Sequence, residues 1–530
     1  MTHLAKRRRT GGYAARARAA LKASRPIFVV SSPALLAPLA EEGAHEKSKP
    51  ETDSPLLGFH VPAPAEGAGC SRHGERMEDT DSDIPVAPIS ERMLARAAAS
   101  VAGGESSAMR VLPYQLPLVV DRAEGARVWD VDGNELIDMN MGYGPLVFGH
   151  RPAPIIEAMQ KDLARRGPVL GLAHDLSHQV AELIHDAMPT VELMRFCSAG
   201  SEAAQTAVRL ARAHTGRTHI LAFEGHYHGS TDSTFHRYHA SLEEIDAAGP
   251  ERPIPGTNGM GGGPRNLYVI PWNNPEVFKA FLAKHADTIA AVILEPVMGN
   301  SGVIPPNDGF LKLVRAETRK VGALLIFDEV ITSFRMARGG AQGYYDVDPD
   351  ITMMGKALSG GAPLSAIGGR REVLEQLVDR RVFHGGVYSG NPMAVAGTLA
   401  AQQLYKTDGA RIYEALWRAP ERIVNGLRSI YSEVGVPVLG QFVGGELSCW
   451  FLKPGSEHMT RFESYRDVAT HADPQLYIRF QHAVQRAGVY FHPNHYEQWF
   501  LSTAHTDEVV DEALDRIRKV AKKFDWRRTA

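Results

Sequence analysis

"TMMGKALSGG", residues 352–361, ends an apolar run with a lysine and a glycine-rich bend. A lysine there is ordinarily a loop residue with its head in water, because lysine is almost never buried unless it is paired or chemically employed. The run before it is one of a series: "LMRFC" (193–197), "HILAF" (219–223), "LYVI" (267–270), "AAVIL" (290–294), "ALLIF" (323–327), "ITMM" (351–354) and "SAIGG" (365–369). Amphipathic segments such as "SEAAQTAVRLARAH" (201–214) and "PNDGFLKLVRAETRKV" (306–321) separate several of them with helical spacing. The alternation predicts an α/β fold built on a mostly parallel, helix-covered sheet.

The flanks read differently. Residues 1–88 form a basic and then Pro- and acid-rich extension expected to be disordered, and the first 25 residues carry eight Lys/Arg and no acid. Organelle targeting is one reading of that basic end; a disordered tail or a later start at Met77 or Met93 is the other. Ser90 is placed to cap a helix through "ERMLARAAASV" that Gly103 and Gly104 would stop. Asp132-Gly133 lies between two alternating runs and predicts a hairpin. Past residue 406, mixed helices and short strands end in "DEVVDEALDRIRKVAKKF". The expected domains are 89–140 as the first part of a small domain, 141–406 as the large one and 407–530 as the rest of the small one.

Composition narrows the function. Among 530 residues, 44% are hydrophobic and 22% charged, and the net charge is −3, so no nucleic-acid partner is implied. No apolar run is long enough to cross a membrane. Cys70, Cys197 and Cys449 lie far apart and suggest neither a disulfide framework nor a thiolate metal site, which fits a reducing, cytoplasmic setting.

In open α/β sheets ligands bind beyond the carboxyl ends of the strands. "RFCSAGSEAA" runs from a strand through Ser198 and Gly200 into a helix, where unpaired N–H groups suit a phosphate, although an ordinary capped helix start reads the same way. Asp328 ends "ALLIFD", where a carboxylate is costly without a cation to meet it. Lys356 follows the next strand, and "FEGHYHG" offers Tyr227 and His228. Pyridoxal 5'-phosphate uses all four features: an aldehyde for a lysine Schiff base, a ring nitrogen for a carboxylate, a phosphate for a helix start and a flat ring for stacking.

These residues, with "ILEPV", "GALLIFDEVITSFR", "PDITMMGKALSGGAPLSAIGGR" and "HGGVYSGNPMAVAG", resemble the class III aminotransferases of PLP fold type I over roughly residues 90 to 525. Within that class the likeness is greatest to the glutamate-1-semialdehyde 2,1-aminomutases. The resemblance implies a large domain and a smaller α+β domain formed from both chain ends. It makes Lys356 the Schiff-base and acid/base residue and Asp328 the partner of the ring nitrogen. It puts Gly200 and Ser201 on the phosphate, Tyr227 with His228 and Val330 against the ring, and Glu295 near its edge. Val387 would contribute backbone to a neighbouring subunit's phosphate, which implies a homodimer with shared sites. Ser107, Arg110, Tyr143 and Glu497 would face the substrate, and Arg110 would favour a carboxylate.

Three departures separate this chain from the aminomutases: Val387 replaces a threonine, "STDSTFHRYHASLEE" lacks the glycine- and serine-rich gating stretch, and "GYGP" replaces "SWGP". They favour a transaminase moving an amino group between a donor and a carbonyl acceptor, with the aminomutase as the alternative. A metal hydrolase using His226, His228, His236, His239, His492 and His495 lacks carboxylates at matched spacing, so no metal is expected. A noncatalytic binding protein of the same fold would have no need of both Lys356 and Asp328.

Overall fold

The computed structural model describes residues 87–260 and 266–526. The basic terminus, Cys70, Met77 and nearly all of the extension lie outside the described residues. Three strands come first, β1 (Val120–Glu124), β2 (Arg127–Asp130) and β3 (Glu135–Asp138). β2 and β3 form the hairpin expected at Asp132-Gly133, with Val128 opposite Leu136.

Ser90 does not cap the first helix. That helix spans Pro88–Ala97 behind Ala87, and Ser90 is buried within it, donating its hydroxyl to Asp132 at 2.7 Å. The same carboxylate accepts the N–H groups of Ile89 and Ser90 at 2.7 and 2.9 Å. An acid from the β2–β3 turn therefore satisfies the orphan donors from a distance. The helix also stops before Gly103 and Gly104, whose φ of +74° and +85° shape a separate turn.

All seven apolar runs become strands: β4 (Leu193–Cys197), β5 (His219–Phe223), β6 (Leu267–Ile270), β7 (Ile289–Leu294), β8 (Leu324–Glu329), β9 (Ile351–Met354) and β10 (Ser365–Gly369). They make one sheet in the order β4-β10-β9-β8-β7-β5-β6. β10 is antiparallel to both neighbours and the other pairs are parallel. Every residue of β7 and β8 is buried, as a sheet covered on both faces requires. The helix Gly200–Thr215 covers one face through Ala203, Ala207, Leu210 and Ala211. The helix read from Pro306 begins later, at Phe310, behind Gly309 in a left-handed conformation.

The last strands are β11 (Val438–Val443), β12 (Glu446–Phe451), β13 (Val489–Tyr490) and β14 (Trp499–Phe500). β13 pairs in parallel with β3, so the late chain completes a sheet begun by the early chain. β11, β12 and β14 form a third sheet in which Glu446 lies opposite Phe500.

One buried carboxylate fixes where β9 begins. Asp350 accepts from Arg315 at 2.7 Å, from the Leu325 N–H at 2.7 Å and from Arg370 at 2.9 Å. It thus ties β9 to β8 and to the helix Phe310–Val321, and so sets the height at which β9 ends in Lys356. Replacing Asp350 by Ala would strand the buried Arg315 guanidinium, and a loss of about 3–5 kcal/mol is expected. Urea unfolding monitored by tryptophan fluorescence checks it; an unshifted midpoint would remove this role.

Candidate active site

The carboxyl ends of β4, β5, β7, β8 and β9 open on one edge of the sheet, which gathers residues far apart in sequence. Asp328 is registered opposite Met353, one strand from the strand that delivers Lys356. β10 separates β9 from β4, so the turn at Ser198–Gly200 stands roughly 10 Å across from Lys356, at two strand spacings.

Lys356 adopts φ +43°, a left-handed conformation that non-glycine residues avoid. Neighbours hold it there: Leu358 N–H bonds to Gly355 O, Tyr405 hydroxyl to Ala357 O and Gln402 to Leu358 O, each at 2.8 Å. Its Nζ stands 5.6 Å from the centroid of the Phe500 ring. Desolvation lowers the lysine pKa, with Glu497 opposing and Arg335 adding to the shift. A larger fraction of free amine near neutral pH follows.

Asp328 is buried, and its Oδ2 meets His228 Nδ1 at 2.8 Å while Oδ1 accepts the Val330 N–H at 3.1 Å. His228 is thereby fixed against the Asp328 carboxylate. Val330 reaches toward the first helical turn, since a Cβ on Gly200 would come within 3.2 Å of its Cγ2. At Gly229, φ is +80° and a Cβ would strike Ser201 Oγ at 2.7 Å, so the chain after β5 must be glycine to lie against the helix start. Tyr227 is half-buried and packs against Tyr238, ring centroids 5.1 Å apart.

Glu295 acts on the framework. Its carboxylate accepts the Tyr227 N–H and Gly299 N–H at 2.8 Å and the Asn300 amide at 3.0 Å, while its own N–H donates to His226 Nδ1. Glu497 is buried, and burial raises its carboxyl to about 7 despite the nearby Lys356. Tyr143 joins the site's rim, its hydroxyl donating to Met109 O at 2.5 Å and its ring 5.5 Å from His492.

Arg110 and Ser107 are not gathered around Lys356 in this chain, and Val387, expected to serve a neighbouring subunit's site, faces outward. Arg110 has a side chain 59% exposed and pairs with Glu105 at 3.2 Å, and Ser107 only accepts the Arg110 N–H through its carbonyl. The reason is local: Glu105 lies within reach of Arg110 along the same turn and competes for it. Val387 is 74% exposed, on the surface with Tyr388 and Phe383.

Two residues join the site without having been read from the sequence. Arg335 is fully buried and donates to the carbonyls of Ile331, Gly445 and Gly144, stapling three loops together with its guanidinium over Phe500. Glu446 is fully buried and neither carboxylate oxygen has a hydrogen-bond partner. Burial raises its carboxyl to about 7, against the pull of Arg335 and Lys356 and with Glu295 adding to the rise. The signals were present: an arginine soon after the Asp328 strand, and a lone acid opening the apolar run "ELSCWF". The histidines are spread over separate hydrogen bonds, and among the described residues no group of three His, Cys, Asp or Glu could hold a metal.

Pyridoxal phosphate suits these residues. The Gly200 and Ser201 N–H groups open a helix beside a glycine-bared strand end. Asp328 is a buried carboxylate with no arginine or lysine as ion-pair partner among the described residues, and Lys356 is a desolvated amine one strand away. A family model of class-III aminotransferases matches residues 109–520. A glutamate-1-semialdehyde 2,1-aminomutase from Persephonella marina is 38% identical over 80% of this chain and 96% of its own length. An omega-transaminase from Sphaerobacter thermophilus superposes with a TM-score of 0.74 at 28% identity, over 82% of this chain and 97% of that one. A glutamate-1-semialdehyde-aminomutase from Pseudomonas aeruginosa, in complex with PMP, gives 0.73 at 25% identity, over 82% and 94%.

The raised Glu446 pKa has a consequence for stability. Its ordinary value is 4.5 and its folded value about 7, so folding binds a proton between them and stability falls as pH rises through that window. Glu446→Gln should flatten the fall by up to about 3 kcal/mol. Thermal melts from pH 4 to 8 read it; parallel wild-type and variant profiles would contradict it.

Proposed function

The chain belongs to the class-III aminotransferases and is a pyridoxal-phosphate-dependent enzyme, and from that premise we propose that it is a transaminase moving an amino group from a donor to a separate keto or aldehyde acceptor. The loop after His228 carries this choice over intramolecular exchange. Its Thr234 hydroxyl donates to His228 O at 3.0 Å, His239 bonds to Asn300 O at 2.7 Å, and Tyr465 holds Ala240 O at 2.5 Å. A segment pinned at these points is a poor lid for retaining a half-reacted amine, so products exchange with solvent. The second reading, an aminomutase, is favoured by the name of the Persephonella marina relative at 38% identity.

When bound, the cofactor supplies an aldehyde carbon that condenses with amines and a conjugated ring that accepts the electrons left when a C–H proton departs. Lys356 would be the residue that holds it and the base that moves a proton at the substrate carbon, and its lowered pKa suits both tasks. Asp328, oriented by His228, keeps a proton on the ring nitrogen. Gly200 and Ser201 bind the phosphate, and Tyr227 and Val330 enclose the ring. Arg110 reads a substrate carboxylate by exchanging its exposed partner Glu105, a solvent-screened pair that is readily given up. A homodimer fits the exposed Leu172, Phe383, Val387 and Tyr388, with Val387 serving the partner's phosphate. The buried free thiols Cys197 and Cys449 suit the cytoplasm.

Lys356→Ala should abolish turnover while the loaded protein still retains phosphate-bearing cofactor through filtration; an active variant would refute the assignment. Asp328→Asn should slow proton removal about a hundredfold or more, read as loss of the substrate α-deuterium isotope exchange rate. Glutamate semialdehyde given alone to the loaded enzyme should yield no sustained 5-aminolevulinate by mass spectrometry. Catalytic formation would establish the aminomutase reading instead.

A further inference from the structure

Glu446 has no role in the mechanism above, and it is expensive. Both oxygens are buried and unpartnered, whereas a retained internal carboxylate is normally paired or hydrogen-bonded. The obvious internal partner is taken, because Arg335 spends its guanidinium on the carbonyls of Ile331, Gly445 and Gly144. The Gln498 amide stands close enough to favour the charged form slightly without completing a bond.

The strand register shows where this carboxylate faces. Cross-strand partners in an antiparallel pair project from the same face, and Glu446 is paired with Phe500, whose ring lies under Lys356 Nζ. On the same face of β12, Ser448 accepts the Val303 N–H, and Trp450 lies where a Cβ on Gly302 would collide with it. Glu446 therefore borders the space around the lysine head, together with Glu497. The charges that act on it are Arg335, Lys356 and Glu295, with the Tyr345 hydroxyl also sensing it. This wall presents Glu446 as an unbonded acceptor beside Lys356. Arg335, the arginine that acts on Glu446, is occupied by carbonyls.

We propose that Glu446, with Glu497, binds the non-reacting ammonium group of an amino donor that carries two amino groups, one placed at Lys356 and the other against these carboxylates. The inference rests on the transaminase reading for the reaction itself, but diamine recognition can be measured without turnover. A substrate ammonium would supply the donors that the Glu446 carboxylate lacks, and a monoamine of the same length would leave it unpaired.

The test uses the full-length chain loaded with pyridoxal phosphate. Binding of 1,3-diaminopropane, 1,4-diaminobutane and 1,5-diaminopentane is compared by calorimetry with that of the matching 1-aminoalkanes, and turnover is followed with a keto acid acceptor. At least one diamine should bind about tenfold or more tighter than its monoamine, a preference that Glu446→Gln removes. Glu446→Asp, one methylene shorter, should shift the preferred diamine to a longer chain, an effect that a purely structural role would not produce. Equal binding of diamines and monoamines by the wild-type protein overturns the proposal, even if Glu446→Gln does not fold. So does a preference that survives Glu446→Gln. A Glu446-dependent preference without turnover would uphold this inference and refute the transaminase reading, while turnover of monoamines without any preference would do the reverse.

Discussion

A lysine amine held out of water at the end of a parallel strand is the constraint around which this protein is arranged. Desolvation disfavours its charge, and its backbone sits at φ +43°, so neither the head nor the main chain is at rest. The cost is borne by what surrounds it. Asp350 anchors the beginning of β9, Tyr405 and Gln402 hold the carbonyls just after the lysine, and β10 closes the sheet on the other side. Sheet register then places Asp328 one strand away without any contact between the two side chains being needed.

The electrostatics follow from that placement. Five ionisable groups, Lys356, Arg335, Glu295, Glu446 and Glu497, influence one another in a region from which water is largely removed. Glu295 is satisfied by three donors and behaves as framework. Glu446 has no hydrogen-bond partner on either oxygen, and burial raises its carboxyl and that of Glu497 to about 7. A site of this kind is primed for a cationic or proton-bearing guest, since each unpaired carboxylate gains more from a donor there than it would in water.

The sheet was legible because its seven strands are continuous apolar runs, a pattern that a two-face-buried parallel strand demands of its own residues. The strand-end residues Asp328, Lys356, Tyr227 and Gly200 were legible for the same reason, since position after such a run predicts position at the ligand-binding edge. Ser90 misled because its competitor Asp132 lies in another element, and sequence distance hides a cap delivered through space. The pairing of Arg110 with Glu105 was not legible, because a motif carries no information about the conformation of its turn. Arg335 and Glu446 went unread because neither belongs to the runs that announced the sheet.

The sequence by itself determined the secondary elements and the residues at their ends, because periodicity and composition act through neighbours along the chain. Tertiary structure alone decided which polar groups are satisfied. Arg335 has its donors satisfied by carbonyls from three loops while Glu446 has no hydrogen-bond donor at all, and that difference exists only once β12 is registered against β14 beside the lysine. Hydrogen-bond satisfaction is a property of positions in space, and no local pattern encodes it.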